Sequence, residues 1–209
     1  MKTLITFLVL VLFIAGSASA QLIIGGQASY LDHDGNNQWG GGVQIKGLIG
    51  DRLAIGGVIK SYPKKLFSES ATVEGEAVTI TSGNSITPVA GLLEYYFGKK
   101  NDFNPYIGTD AGLYFNQNFT IVHSDNTDIV NHETKTTYFG IAPKAGFMLK
   151  TGGLFAIFAQ AQYNFLFGSG DPENITVPGF GGASIETKPA DKFWTFDAGL
   201  LIRLKAAGK

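Results

Sequence analysis

The feature that most constrains this chain is a stretch of alternating apolar and polar residues, about ten residues long, that recurs eight times. Alternation with a period of two is the pattern of a β-strand, whose successive side chains point to opposite faces. Segments of this length are typical of strands that cross a membrane as a closed barrel. Only helices and closed barrels satisfy every backbone N–H and C=O group inside a bilayer.

The pattern is clearest at residues 194–204, where one face is wholly apolar and the other carries Asp197 and Arg203. The same parity test predicts seven further strands, at residues 22–30, 43–49, 53–60, 89–97, 107–116, 139–149 and 155–167. Eight is an even number, as antiparallel closure of a single-chain barrel favours. The sequence therefore predicts an all-β fold, an eight-stranded antiparallel up-and-down barrel.

The connections between these strands alternate in length. Short turns are predicted at 50–52, 98–102 and 150–153, and long polar loops at 32–38, 66–85, 120–135 and 168–191. Barrels of the outer-membrane type have short periplasmic turns and longer extracellular loops, so both chain ends are expected in the periplasm. The alternation at 77–80 also allows the strands around 66–85 to continue beyond the membrane as a hairpin.

The first twenty residues have the pattern of a cleaved signal peptide. Lys2 supplies the charge, residues 4–15 the apolar run, and Ala18-Ser19-Ala20 the small-residue cleavage site, so the mature domain is predicted to be 21–209. The alternative, a retained anchor helix, is disfavoured because the apolar run is shorter than a membrane span requires.

Composition narrows the function classes. Cysteine is absent, which excludes disulfides and thiolate metal sites. The 17 acidic residues slightly outnumber the basic ones that remain beyond Lys2, and a net charge near −2 excludes a nucleic-acid footprint. No linker or low-complexity tract marks a second domain.

Parity alone does not say which face points outward, because a soluble barrel alternates equally well with its apolar side inward. Charged residues are 16% of the chain, against about 25% in ordinary soluble domains, which is thin cover for a surface in water. The one-sided distribution of long loops also favours a membrane. Aromatic residues at the strand ends form two predicted interfacial girdles, made of Tyr30, Trp39, Phe97, Phe119, Phe139, Phe155, Phe167 and Trp194.

With the polar faces turned inward, the lumen would hold four positive and three negative charges together with amides. The predicted interior cluster is Lys46, Lys60, Glu94, Asp110, Lys144, Gln160, Gln162, Asp197 and Arg203. Charges removed from bulk water destabilise a protein unless they are paired. The near-equal numbers of positive and negative residues therefore favour a cross-linked polar core. The alternative is a small gated path for water or ions, although eight strands enclose little more than their own side chains.

Two runs resemble strand motifs of the small outer-membrane β-barrel domain family: NPYIG at 104–108 with Gly112-Leu113-Tyr114, and FGIAPKAGF at 139–147. That family includes barrels similar to the transmembrane part of outer-membrane protein A and to outer-membrane protein X. The resemblance implies the barrel fold and an integral place in the outer membrane of a Gram-negative envelope. It implies roles from membrane integrity to adhesion and small-solute passage, and no catalytic residue.

Chemical motifs are weak. His123, Asp125, Asp128, His132 and Glu133 have the residue types of metal ligands, but no regular element fixes their geometry, so solvated loop polarity is the preferred interpretation. All three histidines fall in predicted loops, which disfavours a hydrolase and any other enzyme. No cofactor is predicted.

The leading hypothesis is a non-enzymatic integral outer-membrane barrel that contributes to envelope structure or to surface interaction through its loops. The competing hypothesis is a porin-like narrow pore or transporter for small solutes. A third is a soluble periplasmic binding barrel. The expected partners are membrane lipids, lipopolysaccharide and, during insertion, the barrel-assembly machinery, while the sequence identifies no surface partner.

Overall fold

A computed structural model describes residues 21–33, 36–50, 52–73, 76–98, 102–124, 127–151, 153–168, 173–176, 184–187 and 192–204. The predicted signal peptide lies outside these residues. No helix in the described part of the chain is long and apolar enough to cross a bilayer.

Ten strands are present in the described residues. They are β1 (Gln21–His33), β2 (Asn36–Ile49), β3 (Leu53–Val73), β4 (Glu76–Tyr96), β5 (Phe103–Ser124), β6 (Thr127–Lys150), β7 (Phe155–Phe167), β8 (Glu173–Thr176), β9 (Ser184–Thr187) and β10 (Lys192–Leu204).

Eight of these strands form one closed antiparallel barrel in the order β1-β10-β7-β6-β5-β4-β3-β2. The seam between the first and last strands is paired from Leu22↔Leu204 to Asp32↔Trp194, so the sheet has no open edge within the barrel. The remaining two, β8 and β9, form a separate two-stranded sheet in the connection between β7 and β10. The predicted fold class, with its eight barrel strands, is confirmed.

Tight turns lie at one end of the barrel, which we call the short-turn end. Gly50 and Gly153 occupy two of these turns with φ of 62° and 60°, a backbone conformation that glycine adopts without steric penalty. Backbone bonds brace this end, including one of 2.8 Å from the Lys150 N–H to the Asp102 carbonyl. The opposite end is called the long-hairpin end below.

Three of the four predicted long loops are mostly strand, which corrects the prediction. Pairing continues to His33↔Asn36 between β1 and β2, to Val73↔Glu76 between β3 and β4, and to Ser124↔Thr127 between β5 and β6. The regions 66–85 and 120–135 are rich in Thr, Val and Ile, which favour strands, and in all three regions the cross-strand ladder satisfies the paired backbone groups. The hairpin suggested for 66–85 is therefore confirmed, whereas the loop predicted at 120–135 is wrong.

The four strands β3 to β6 are 21 to 24 residues long. A tilted strand needs only about 9–11 residues to cross a bilayer. Their distal halves therefore project well beyond the barrel wall as a four-stranded sheet at the long-hairpin end.

The burial pattern assigns the two faces of each barrel strand. On β10, Phe196 and Leu200 are 47% and 61% exposed, whereas Asp197 between them is 2% exposed. On β7, likewise, apolar Ile157 is exposed and polar Gln162 is buried, which is the reverse of the burial pattern in a soluble protein. Because every barrel strand carries large apolar side chains that face outward, the barrel wall is suited to contact lipid rather than water.

Candidate functional site

The candidate site is the polar layer in the middle of the barrel. Every barrel strand except β1 contributes a member of one connected ionic and amide network, and all its members are buried. They are Lys46 on β2, Lys60 on β3, Glu94 on β4, Asp110 on β5, Lys144 on β6, Gln160 and Gln162 on β7, and Asp197 on β10.

Half of the network is a chain of ion pairs that begins at Lys46. Its Nζ lies 2.7 Å from Oε2 of Glu94. The Nζ of Lys144 lies 2.9 Å from Oε1 of Glu94 and 2.6 Å from Oδ1 of Asp110. Glu94 therefore bridges two ammonium groups, and Lys144 bridges two carboxylates.

The other half centres on Lys60. Its Nζ lies 2.6 Å from Oδ2 of Asp197 and donates a 2.7 Å hydrogen bond to Oε1 of Gln162. Gln160 donates to the same Asp197 oxygen at 2.7 Å. Gln162 in turn donates to Oδ2 of Asp110 at 3.2 Å, which joins the two halves. Since β3 and β7 are diametrically opposite in the strand order, the bond from Lys60 to Gln162 spans the lumen.

Arg203, the ninth residue of the predicted cluster, lies apart from the other eight. It is half-buried at the short-turn end, where its Nη2 donates to Oε1 of Gln21 at 3.2 Å. Its position near the end of β10 puts it too far along the barrel axis to reach the central layer. The network thus contains three lysines and three carboxylates, so its charges balance, where the sequence had suggested one positive charge in excess.

Strand β1 joins the interior through amides. Gln27 accepts a 3.3 Å hydrogen bond from Gln44 on β2 and donates one of the same length to Ser29. These three polar side chains are buried in the interior beside the ionic network.

Two apolar layers, which the sequence analysis missed, enclose the polar layer from above and below. The layer at the short-turn end consists of Ile23, Ala54, Tyr96, Tyr106, Met148, Ala156, Phe158 and Leu201. The layer at the long-hairpin end consists of Leu31, Tyr62, Ile86, Tyr114, Tyr138 and Phe193. The parity rule labelled the inward face simply as polar, although tyrosines already recur on it in the sequence, as at Tyr62 two residues after Lys60.

Tyrosine hydroxyls connect the apolar layers to the polar one. Tyr96 donates a 2.6 Å hydrogen bond to Oε2 of Glu94. Tyr106 donates to Gln160 at 2.8 Å, and Tyr114 donates to Asn164 at 2.9 Å. Each ring fills space in an apolar layer while its hydroxyl satisfies a buried acceptor, which is the usual arrangement for a buried tyrosine.

The outer wall carries the aromatic residues that the sequence assigned to the girdles. Six of them are exposed, namely Trp39, Phe97, Phe139, Phe155, Phe167 and Trp194. Tyr30 and Phe119 are half-buried on the same face. Tyr30 packs on Trp39 with ring centroids 5.1 Å apart, and the Nζ of Lys64 lies 4.4 Å from the ring centroid of Phe119. Phe103, exposed at the short-turn end, is an aromatic wall residue that the sequence analysis did not name.

Four of the five weak metal-ligand candidates fall where the side chains are not described. Residues 123, 128 and 132 lie on the projecting parts of β5 and β6, and Asp125 lies outside the described residues. Glu133 is exposed and pairs with Lys135 at 3.3 Å. Among the side chains that the structure describes, no group of three His, Cys, Asp or Glu residues could hold a metal ion.

No protein-family model and no curated protein sequence matches the chain. Solved structures do match. Ail, the attachment invasion locus protein of Yersinia pestis, crystallised with the heparin analogue sucrose octasulfate, is 16% identical with a TM-score of 0.50 over 88% of this chain and 97% of Ail. The outer membrane protein OprG from Pseudomonas aeruginosa is 14% identical with a TM-score of 0.56, covering 92% of this chain and 99% of OprG.

A major outer membrane protein from Thermus thermophilus is 8% identical, with a TM-score of 0.57 over 88% of this chain and 99% of that protein. At sequence identities this low, a structural match establishes the fold and nothing more. The match extends over nearly the whole length of each barrel. The resemblance noted in the sequence is thus confirmed at the level of the fold, and this chain, with its apolar outer wall, has the closed β-barrel fold of these outer-membrane proteins.

Proposed function

We propose that the protein is a closed, non-enzymatic barrel that contributes to the structure of the outer membrane and presents a projecting sheet at the cell surface. The observation that carries the proposal is the ionic network across the lumen. Its six charged groups are paired at 2.6 to 2.9 Å in the fully buried middle of the barrel.

The network blocks the lumen sterically as well as electrostatically. An ion that crossed the barrel would have to part Lys60 from Gln162 and Asp197, and also pass both apolar layers. Separating buried charges without an alternative partner costs about 3–5 kcal/mol for each pair. Because eight strands leave an interior that side chains can fill, this arrangement supports a plug rather than a pore.

Planar-bilayer recording on purified, refolded protein tests the closed lumen. We expect no steady unitary conductance from a sample whose heat-modifiable gel migration shows that it is folded. A larger porin reconstituted in the same way serves as the positive control for insertion. Reproducible channels that scale with the amount of folded protein would refute the plug and support the competing small-solute pore.

The surface role is supported by the excess length of β3 to β6, which continue as a paired sheet beyond what a bilayer requires. In barrels of this type, long hairpins lie outside the cell and short turns face the periplasm. We therefore expect an epitope tag inserted after Val73 to be accessible to antibody on intact cells, and one inserted after Gly50 to be accessible only after the outer membrane is permeabilised. The opposite labelling would place the projecting sheet in the periplasm and rule out a surface role.

A further inference from the structure

The outer wall contains a groove where small side chains replace the large ones found elsewhere. It has a volume of about 480 Å³ and runs across β6, β7, β10 and β1. Its floor is made of Ala28, Ala145, Ala159, Ala161 and Ala198. Three of these alanines are direct cross-strand partners, Ala28↔Ala198 and Ala198↔Ala159, so the floor is continuous across three strands. Aromatic side chains from Tyr30, Trp39, Phe147 and Phe196 form its walls.

The groove adjoins a second pocket of about 490 Å³ with a different chemical character. Tyr30 and Trp39 line both, so the two lie next to each other on the wall. The second pocket is completed by Asn37, Gln38, Pro63 and Lys64, which lie nearer the long-hairpin end. Lys64 is exposed, and its ammonium group is held over the ring of Phe119 at 4.4 Å.

We propose that this composite groove binds one phosphate-bearing lipid of the outer leaflet, with an acyl chain on the alanine floor and the phosphate against Lys64. The order of groups along the groove matches the order of parts in such a lipid. The apolar floor lies at the depth of the acyl chains, the Trp39 and Tyr30 rings lie at the level of the interface, and the cation lies beyond them. Among the described side chains, no carboxylate lines the second pocket, so the charge there complements an anionic headgroup.

The alanine floor offers one acyl chain many contacts at once. A methylene chain laid over alanines contacts the backbone of several strands and the aromatic walls at the same time, and dispersion attraction grows with the number of such contacts. This inference rests on the proposed place of the barrel in the outer membrane and does not depend on the lumen being closed.

Native mass spectrometry of folded protein in mild detergent tests the site, with bisphosphorylated lipid A and its dephosphorylated form as the probes. Ala198→Phe fills the floor of the groove, and Ala111→Phe, at an exposed position on β5 outside the groove, is the matched control. Lys64→Glu reverses the charge, and Lys135→Glu does so at an exposed position on the projecting part of β6. We expect wild-type protein to bind the phosphorylated probe, and both A198F and K64E to bind it about tenfold or more weakly while the two controls bind as wild type.

Equal binding by A198F and A111F would overturn the groove as the binding site. Equal binding of the two probes by wild-type protein would overturn the role of the phosphate. If the wild-type protein formed a lipid-free dimer and A198F did not, the groove would instead be the contact surface for a second copy of the chain. All samples are first checked for folding by gel migration. Conductance of the same samples tests the closed lumen separately, so a failure of the lipid site and a failure of the plug are distinguishable.

Discussion

Replacing Glu94 with glutamine removes the carboxylate that joins Lys46 to Lys144 while keeping the shape of the side chain. Lys144 retains Asp110 at 2.6 Å, but Lys46 loses the carboxylate 2.7 Å from its ammonium group. Removing one partner of a buried pair destabilises a protein by about 3–5 kcal/mol. Three aromatic rings have centroids 5.7 to 5.9 Å from the Lys46 ammonium and offset part of the loss. We therefore expect Glu94→Gln to lower the free energy of unfolding by about 3 kcal/mol.

Two further variants separate charge imbalance from simple loss of a contact. Adding Lys46→Met to Glu94→Gln restores a neutral interior, and the double variant is expected to lie within about 1 kcal/mol of wild type, since an apolar replacement for a buried pair is often neutral. Glu133→Gln removes one carboxylate from an exposed ion pair of 3.3 Å, and its effect is expected to be below about 1 kcal/mol.

Equilibrium urea unfolding of protein refolded in lipid vesicles measures these differences. The fluorescence of Trp39 and Trp194, both on the outer wall, reports the loss of lipid contact on unfolding. The reasoning is refuted if Glu94→Gln is no more destabilising than Glu133→Gln. It is equally refuted if the double variant is as unstable as Glu94→Gln alone, because the loss would then not arise from an unpaired lysine.

Two other pairs of neighbouring residues give matched tests of the interior and the wall. A Cβ at Gly56 would overlap a backbone carbonyl oxygen of β2, whereas one at Gly57 would lie 3.6 Å from its nearest neighbour. In urea unfolding, Gly56→Ala is therefore expected to destabilise the protein by about 1–3 kcal/mol, and Gly57→Ala is expected to be neutral. Tyr96→Phe removes the hydroxyl that donates to buried Glu94, and we expect a loss of about 1.5–3 kcal/mol. Tyr95→Phe removes only an exposed contact with Arg52, and we expect less than about 1 kcal/mol by the same measurement. Equal effects within either pair would contradict the assignment of faces.

Period-two alternation was sufficient to predict the barrel because lipid and lumen demand opposite side chains at successive positions. Phe196 and Asp197 are an example: the apolar ring faces outward, where it can contact lipid, and the carboxylate faces inward, where it is paired. The same parity puts the central charged residues on the inward face, where the structure pairs them with one another.

Position along the barrel axis was not predictable in the same way. Parity says that Arg203 faces inward, but only the register between strands shows that it lies too near the short-turn end to meet a carboxylate of the network. Parity also puts Phe158 and Phe193 on the inward face, but it does not show that they belong to apolar layers there. Nor did it show where strands end, because the projecting halves of β5 and β6 pair with each other without a bilayer to shape their composition.

The ion pair between Lys60 and Asp197 joins residues 137 positions apart on the third and the last strands. In a sheet that has not yet closed, Gln160 on the neighbouring strand can still contact Asp197, but the two opposite charges lie apart in a medium that solvates them poorly. The Lys60–Asp197 pair can therefore form only as the barrel closes. An incomplete barrel in the bilayer is less stable because these two charges remain apart. We therefore expect pairing of these two charges to favour the complete barrel over a sheet that lacks the third or the last strand.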